Sequence, residues 1–401
     1  MSQAVEYVIN RTSGSVALDV FSDAEAAKVR AYHMALPGYA STPLAALDDL
    51  AGRLGLEAVH VKDESFRFGL NAFKVLGASY AVGRIVAERL GLGQDALSLS
   101  AMTAPGNREK LAGLVLATAT DGNHGRAVAW AARQLGLGCV VHMPKGSAPA
   151  RLEAIRALGA KADILEMNYD EAVRLTAAEA AKEGWIVVQD TAWDGYETIP
   201  GWIMQGYATM AEEACLQLEA AGRAAPTHVF VQAGVGSLAA GVVGRMSVRL
   251  KDRRPRFLVA EAGAADCLYR SALAGHPVTV EGDLTTIMAG LACGEPSKLA
   301  WPILKDRADV FVSCPDWVAA RGMRILGNPR GGDPRVVSGE SGAITLGLLT
   351  LIMETPSLAA LRDSLDLGPQ SRVLLFSTEG DTDPKRYRDI VWDGDYASAA
   401  Q

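Results

Sequence analysis

The chain alternates short apolar runs, rich in β-branched residues, with longer stretches whose apolar positions recur at helical spacing. The short runs have the length of buried strands. We predict strands at 59–61, 114–118, 139–142, 185–188, 228–231, 257–260, 310–312 and 373–376. The longer stretches between them predict helices at 72–90, 125–135, 151–158, 170–183, 200–219 and 237–250.

This alternation predicts an α/β fold with mostly parallel, twisted sheets that helices flank on both faces. The 401 residues exceed the ~100 to 200 residues of one ordinary domain, so we expect two domains, each with such a sheet. The segment 92–110 is polar and rich in turn residues. It is either a surface excursion near a domain border or a plain insertion.

Composition narrows the function classes. Hydrophobic residues make up 49% and charged residues 21% of the chain, as in folded globular proteins. The formal net charge of -7 disfavours nucleic acid and anionic membranes as partners, because both attract positive surfaces. The sequence shows no run of ~18 apolar residues and no basic segment followed by an apolar stretch at its start. We therefore expect a cytoplasmic protein that binds neither nucleic acid nor membranes.

The five cysteines form no CxxC pair, and no histidine lies at metal-ligand spacing from them, so we predict no metal site. In a reducing compartment buried free thiols are the simplest expectation. Cys267 and Cys293 flank loops that we expect near the active site. Whether these two form a close pair stays open at this point.

Polar residues follow the predicted strands at several points, where open parallel sheets bind their ligands. At the first junction, Lys74 follows the strand at 59–61, and Asn71 is placed to cap the next helix. The helix dipole and partial burial would then lower the pKa of Lys74 and make it a nucleophile toward an aldehyde. The alternative is an ordinary surface lysine.

The second junction, 117–125, joins a strand to a helix through a turn. Gly122 and Gly125 permit a tight turn, and the free N–H groups at the helix start can hold a carboxylate. Asn123 adds a neutral hydrogen-bonding side chain. Turns of this composition are also common without any function.

Two further junctions follow later strands. At 231–239, Gly234 and Gly236 let N–H groups close around a phosphate, and Ser237 adds a hydroxyl. This loop could be half of a dinucleotide site, but the third glycine of that motif is missing, so NAD is the weaker interpretation. At 376–383, hydroxyl groups could bond a ring nitrogen, or the segment is a turn without a ligand.

In their order and chemistry, these junctions resemble the fold type II (tryptophan synthase β-like) family of pyridoxal phosphate enzymes over nearly the whole chain. Longer strings are similar to the diaminopropionate ammonia-lyases within it. These strings are KDESFRFGLNAFKVLGASYA, ATDGNHGRAVAW, MPKGSAPARLEAIRALGA, VQDTAWDGYETIPGWIMQGYATM, TIMAGLACGEPS and FSTEGDTDP.

The resemblance implies that pyridoxal 5'-phosphate is the cofactor. Lys74, beside Phe73, would bond covalently to its aldehyde, and Asn123 would bond its phenolic oxygen. Ser377, with Thr378 as the second choice, would face the ring nitrogen and leave it neutral, which favours elimination over transamination. The cofactor phosphate would rest on the N–H groups of Gly234, Val235, Gly236, Ser237 and Leu238.

The resemblance also implies the reaction, an α,β-elimination that converts D- and L-2,3-diaminopropionate to pyruvate and two ammonia. Lys74 would remove the α-proton on one face and Asp121 on the other. Asp121 stands where related dehydratases and racemases carry serine or another small residue. Asp121 and Asp190 are candidates to protonate the leaving ammonia. Substrate binding is expected from Thr120, Asp121, Gly122, His124 and Asp190.

The implied architecture is a larger cofactor domain, 1–77 and 204–401, and a smaller domain, 78–203, that closes over the active site of a homodimer. A threonine or serine dehydratase on the same fold, which would expel hydroxide, is the main alternative function. A binding protein without catalysis is another. Glu340 either neighbours the cofactor or caps a helix.

Overall fold

The computed structural model describes residues 4–93 and 97–397, and their strands form two sheets. Within these residues the larger sheet has seven strands, and two antiparallel strands at its edges flank a parallel centre. Its spatial order is β1 (Glu6–Ile9), β10 (Val310–Cys314), β9 (Arg256–Ala262), β8 (His228–Gln232), β11 (Arg372–Ser377), β3 (Ala58–Asp63) and β2 (Leu44–Ala46).

The smaller sheet is entirely parallel, and in the described part of the chain it has four strands. All of them lie between residues 78 and 203, the segment expected to form the smaller domain. Their spatial order is β6 (Lys161–Ile164), β5 (Gly138–Met143), β4 (Val115–Ala119) and β7 (Ile186–Val187). The two mostly parallel sheets confirm the predicted fold class, whereas the domain boundaries stay a prediction.

Helices cover the sheets, and every helix predicted from the apolar pattern is present, with ends that differ from the predicted ones by three residues at most. The first half of the chain forms α1 (Asp23–Met34), α2 (Asp48–Leu54), α3 (Val75–Leu90), α4 (Leu99–Met102), α5 (Pro105–Leu111), α6 (Asn123–Leu135), α7 (Pro149–Arg156) and α8 (Tyr169–Glu183). The second half forms α9 (Thr198–Ala220), α10 (Ser237–Leu250), α11 (Cys267–Ala274), α12 (Ala300–Arg307), α13 (Asp316–Gly327), α14 (Glu340–Glu354), α15 (Ala359–Ser364) and α16 (Pro384–Val391).

The strands that the sequence pattern missed, β1, β2 and β6, are all edge strands. None of their residues is fully buried, so they lack the continuous apolar run by which central strands are recognised. The polar segment 92–110 contains α4 and all of α5 except its last residue, and the two helices bury Met102 and Leu111. The segment is therefore helical and partly packed, and whether it borders a domain or is an insertion stays a prediction; residues 94–96 lie outside the described part.

The centre of the molecule is a close crossing of α3 and α9. A Cβ added to Gly77 would lie 2.5 Å from Tyr207 Cε1, and one added to Gly206 would lie 2.5 Å from the Leu76 carbonyl oxygen. Only glycine allows the two backbones to approach this closely. Since Lys74 immediately precedes α3, this crossing places the lysine between the two sheets.

Among the described residues, no single helix has the length and apolar character needed to cross a bilayer; one bent pair, Glu340–Glu354 with Pro356–Ser364, meets both criteria together.

Candidate active site

A cavity of about 720 Å³ lies where the carboxyl ends of strands from both sheets face one another. β3, β11 and β8 are neighbours in the larger sheet, so the loops that follow them meet at one edge. The loop after β4 of the smaller sheet faces them. Of the predicted site residues, the cavity is lined by Phe73, Lys74, Thr120, Asp121, Asn123, His124, Asp190, Gly234, Val235, Gly236, Ser237, Leu238 and Thr378.

Lys74 points into this cavity from the start of α3, and its Nζ donates to the carboxylate of Asp190. Burial by itself would lower the pKa of Lys74, but the charge of Asp190 outweighs burial and raises it. The expected lowered pKa is therefore wrong. Asn71 is not the helix cap either, because α3 begins at Val75 with Lys74 as its N-cap residue.

Asp190 is buried, and its ionised form depends on its cation partner. Burial would raise its pKa, but the Lys74 ammonium holds it well below the ordinary value. Ser237 Oγ donates to the Asp190 carbonyl oxygen at 2.6 Å and fixes this backbone against the glycine loop. Asp190, which the resemblance made a candidate to protonate the leaving ammonia, is thus the direct partner of Lys74.

His124 is neutral and has one free ring nitrogen. Its Nε2 lies 2.8 Å from the Val188 carbonyl oxygen, which requires a proton on Nε2, and burial lowers its pKa. Its Nδ1 lies 3.9 Å from Asp190 Oδ2 and has no hydrogen-bond partner among the described residues. The histidine therefore anchors its turn and offers Nδ1 as a hydrogen-bond acceptor.

The turn before α6 positions Asp121. Thr120 Oγ1 accepts from the N–H of Gly122 at 2.9 Å and of Gly125 at 3.1 Å. Gly122 has a φ of +146°, which L-residues rarely adopt. The Asp121 carboxylate accepts from Arg151 Nη1 at 3.2 Å, a contact between residues 30 positions apart that the sequence pattern did not predict.

The loop after β8, from Gly234 to Leu238, presents free backbone N–H groups, and we call it the anion cradle. The N–H groups of Gly234, Val235 and Gly236 donate to no other protein atom in the described ranges, and those at the start of α10 have no intrahelical acceptor. Gly236 has a φ of +100°, and a Cβ there would lie 3.1 Å from Leu304 Cδ1. These free donors at a helix N-terminus fit a phosphate group.

Of the two hydroxyls considered for the ring nitrogen, only Thr378 reaches the cavity. Its Oγ1 accepts from Gln232 Nε2 at 2.7 Å, so its own proton remains available for a neutral nitrogen. Ser377 is buried beside it, does not line the cavity, and its Oγ has no partner in the described part of the chain. Thr378, the second choice, is thus the hydroxyl on the cavity wall, and which of the two faces a ring nitrogen stays a prediction.

Two buried glutamates line the cavity: Glu379, which the sequence did not single out, and Glu340, for which a place near the cofactor or a helix cap was left open. Glu379 accepts from the Asn123 side chain and, at 3.2 Å, from the N–H of Ser341. Glu340 begins α14 and lines the cavity, and burial together with the charge of Glu379 raises its pKa to about 7. Glu379 follows β11 and Glu340 begins α14, and only the fold brings the two side chains together.

Cys267 and Cys293 are buried free thiols, and both lie beside the anion cradle. Cys267 Sγ is 3.8 Å from the Gly234 carbonyl oxygen, and a Cβ on Gly234 would lie 3.2 Å from Cys293 Sγ. Burial raises the pKa of each thiol well above its ordinary value.

Comparison with known proteins agrees with this geometry. The family model described as "Pyridoxal-phosphate dependent enzyme" matches residues 35–378. The diaminopropionate ammonia-lyase of Escherichia coli (strain K12) is 51% identical over 95% of this chain and 94% of its own length. The diaminopropionate ammonia-lyase of Salmonella typhimurium (strain LT2) is 49% identical over 98% of this chain and 99% of its own length. The chain belongs to the diaminopropionate ammonia-lyase family of pyridoxal-phosphate-dependent enzymes.

Solved structures of this family have the same fold. Escherichia coli diaminopropionate ammonia lyase in complex with an aminoacrylate-PLP azomethine reaction intermediate has a TM-score of 0.92 and 48% identity, covering 99% of both chains. Its complex with D-serine has a TM-score of 0.93, with the same identity and coverage. A threonine deaminase from Solanum lycopersicum, 19% identical over 98% of both chains with a TM-score of 0.72, shares the fold alone.

The cavity fits the cofactor of this family. Lys74 offers an amine for the aldehyde, and the cradle offers free N–H donors for the phosphate. Thr378 offers a hydroxyl proton for the ring nitrogen. The cradle closes only because Gly236 has no Cβ to contact Leu304. Pyridoxal phosphate is therefore the cofactor for which these residues are suited.

Proposed function

We propose that this protein is a pyridoxal-phosphate-dependent lyase that converts 2,3-diaminopropionate and water to pyruvate and two ammonia. The observation that carries the proposal is the cavity that joins a partly buried amine, Lys74, to the free N–H cradle and to two carboxylates, Asp121 and Asp190. The similarity to diaminopropionate ammonia-lyases over nearly the full chain supports this substrate over serine or threonine.

The proposed binding roles follow from the contacts. The cradle from Gly234 to Leu238 holds the cofactor phosphate, Thr378 donates to the ring nitrogen, and Asn123 lies at the start of α6 to bond the phenolic oxygen. When bound, the cofactor withdraws electrons from the substrate α-carbon, so that the α-proton and the β-amine can leave. In the turn from Thr120 to His124, the N–H groups of Asp121, Asn123 and His124 donate to no other described residue, and these hold the substrate carboxylate.

Proton transfer is assigned to two residues. Lys74 removes the α-proton of one enantiomer and Asp121 that of the other, from the opposite face, so both enantiomers are substrates. Asp190 then has a separate task. Asp190 is a buried carboxylate that needs a cation beside it, and in this structure that cation is Lys74. When Lys74 is bonded to the cofactor or acts as the base, the second ammonium of the substrate can take its place beside Asp190.

The same proposal covers the setting of the enzyme. We place it in the cytoplasm as a homodimer that acts on a small amino acid, bound to neither nucleic acid nor membrane. The negative net charge supports this absence of polyanionic partners, and the family resemblance supports the dimer. The chain ranges 1–77 and 204–401 form the cofactor domain, and 78–203 forms the domain that closes over it, as the separate sheets suggest.

A pyruvate assay tests the function directly. Purified holoenzyme is given D-diaminopropionate, L-diaminopropionate, L-serine or L-threonine separately, and the released 2-oxo acid and ammonia are measured. We expect two ammonia per pyruvate from both enantiomers of diaminopropionate. Faster turnover of serine or threonine would instead indicate a dehydratase. The Lys74→Ala variant serves as the inactive control, and loss of its visible cofactor absorption excludes a noncovalent binding protein.

The two-faced assignment predicts an unequal effect of Asp121→Asn. This change keeps the shape of the side chain but removes the base, so kcat falls by about 10²- to 10⁴-fold on one enantiomer and far less on the other. Steady-state kinetics on each enantiomer measure it. Equal losses on both would refute the assignment of opposite faces.

A further inference from the structure

Arg151, in the first turn of α7, is a buried cation in the cavity wall that the roles above leave unused. Its side chain is 7% exposed. Nη1 donates to Asp121 Oδ2 at 3.2 Å, and Nη2 donates to Thr382 Oγ1 at 3.0 Å. One guanidinium therefore binds the proposed base of the smaller sheet and a loop of the larger sheet at the same time.

The stem of Arg151 packs directly on the turn that carries Asp121. A Cβ added to Gly122 would lie 2.7 Å from Arg151 Cδ and 3.0 Å from Arg151 Cβ. The turn thus needs glycine both for its backbone conformation and for contact with the arginine. Because Asp121 is bonded by the guanidinium and its neighbour is in contact with the stem, the carboxylate is held from two sides.

The charge around Arg151 keeps it protonated. Burial by itself would lower its pKa, but the surrounding carboxylates of Glu379, Asp121, Glu340 and Asp383 outweigh burial and raise it. A planar guanidinium can bond two acceptors in fixed directions, which an ammonium cannot. The residue therefore supplies a permanent charge and a defined geometry.

The two acceptors belong to different parts of the fold. Asp121 follows β4 of the smaller sheet, and Thr382 follows β11 of the larger sheet, two residues after Gly380, which bonds the Asn71 carbonyl beside the Lys74 junction. The orientation of Asp121 is thereby tied to the sheet that carries Lys74. This matters because a base on one face must stay in register with a lysine on the other.

We propose that Arg151 is a positioning residue, which orients Asp121 toward the substrate α-carbon and ties that orientation to the larger sheet through Thr382. The proposal rests on the proposed function, in which Asp121 is the base on the face opposite Lys74. Arg151 therefore acts selectively on the enantiomer that needs Asp121.

The test compares Arg151→Met, Arg151→Lys and Asp121→Asn holoenzymes on each enantiomer. We expect Arg151→Met to lower kcat by about 10- to 100-fold on the enantiomer that Asp121→Asn impairs, with a smaller change in KM. On the other enantiomer the loss stays below about threefold, because Lys74 is the base there. Arg151→Lys restores part of the lost kcat, since its ammonium can still bond Asp121. Arg156→Met, an exposed arginine on the same helix, is the matched control and leaves both activities unchanged.

Hydrogen exchange of the holoenzyme supplies a readout that does not depend on turnover. Both Arg151→Met and Thr382→Val should speed exchange in the segment 378–383, whereas Arg156→Met should not. Cofactor absorption shows that each variant is loaded and folded.

The outcomes separate the two proposals. If Asp121→Asn is selective but Arg151→Met lowers both activities equally or neither, the role of Arg151 is overturned and the proposed function stands. If Asp121→Asn itself lowers both equally, the opposite-face assignment fails and the role of Arg151 fails with it. Unchanged exchange in 378–383 would overturn the link through Thr382.

Discussion

At the scale of single residues, the site depends on glycines as much as on its polar side chains. Gly236 leaves the cradle open, and Gly122 leaves room for the Arg151 stem. Both have backbone angles that disfavour a Cβ, so the anion cradle and the Asp121 turn are each backbone features.

Replacing Gly236 should therefore weaken cofactor binding. In Gly236→Ala the added Cβ costs about 1 to 2 kcal/mol of backbone strain and contacts Leu304 and Ala300, so relief of strain would open the cradle. We expect the Kd for pyridoxal phosphate to rise by at least about tenfold, measured by fluorescence titration. Gly222→Ala, at another positive φ with open space around it, is the control. A similar Kd in both variants would contradict the cradle.

At the scale of elements, the segment between β3 and α3 shows how a lysine is held in place without a regular helix around it. It is a 3₁₀ segment, Glu64–Gly69, with positive φ at Phe68 and, just beyond it, at Asn71. Such backbone persists only where its surroundings hold it. Here Arg67 is completely buried and binds Glu64 and, through Nη1 and Nη2, Glu213 of α9.

Glu213 is the acceptor shared by this network, since it also binds Lys62 Nζ at 2.7 Å. Burial would raise its pKa, but Arg67 and Lys62 lower it. Glu213→Gln leaves two buried cations short of a counter-charge and should lower the free energy of unfolding by about 3 to 5 kcal/mol. Urea unfolding measures this. Glu219 lies on the same helix as Glu213 and forms an ion pair with Arg249 of α10 near the surface. Glu219→Gln breaks this pair and should cost less than about 1 kcal/mol. Equal effects of the two changes would argue against the network.

At the scale of the whole molecule, the crossing of α1, α3 and α9 contains a buried histidine that makes stability depend on pH. His33 lies between the Thr209 hydroxyl and the Leu76 carbonyl oxygen, both 2.9 Å away. Burial lowers its pKa to about 4, against 6.5 in the unfolded chain. Protons therefore bind the unfolded state more tightly.

The stabilisation from neutral His33 is fully present above pH 6.5 and is lost as the pH falls toward 4. Between pH 7 and pH 5 this residue should account for about 2 kcal/mol of lost unfolding free energy. Urea unfolding of the wild type and of His33→Gln at both pH values isolates it, because glutamine does not titrate. An identical pH dependence in the two proteins would exclude His33 as a source.

The sequence by itself determined the central strands, the main helices and the chemistry of the junctions. Each of these depends on residues that are neighbours in the chain: a β-branched run, a helical apolar stripe, or glycines at a turn. Lys74, the glycine cradle and the Asp121 turn were recognisable for that reason. The edge strands were not, because their half-exposed residues lack an apolar run.

Only the tertiary structure decided which charges meet. The Lys74 to Asp190 pair joins residues 116 positions apart and reverses the direction expected for the lysine pKa. Arg151 reaches Thr382 over 231 positions, and Asn123 reaches Glu379 over 256. Electrostatic interactions depend on distance and burial in the folded state, neither of which a local pattern contains. That Thr378 lines the cavity and Ser377 does not has the same origin. Neighbouring residues face opposite sides at a strand end, and only the packed sheet shows which side is the cavity.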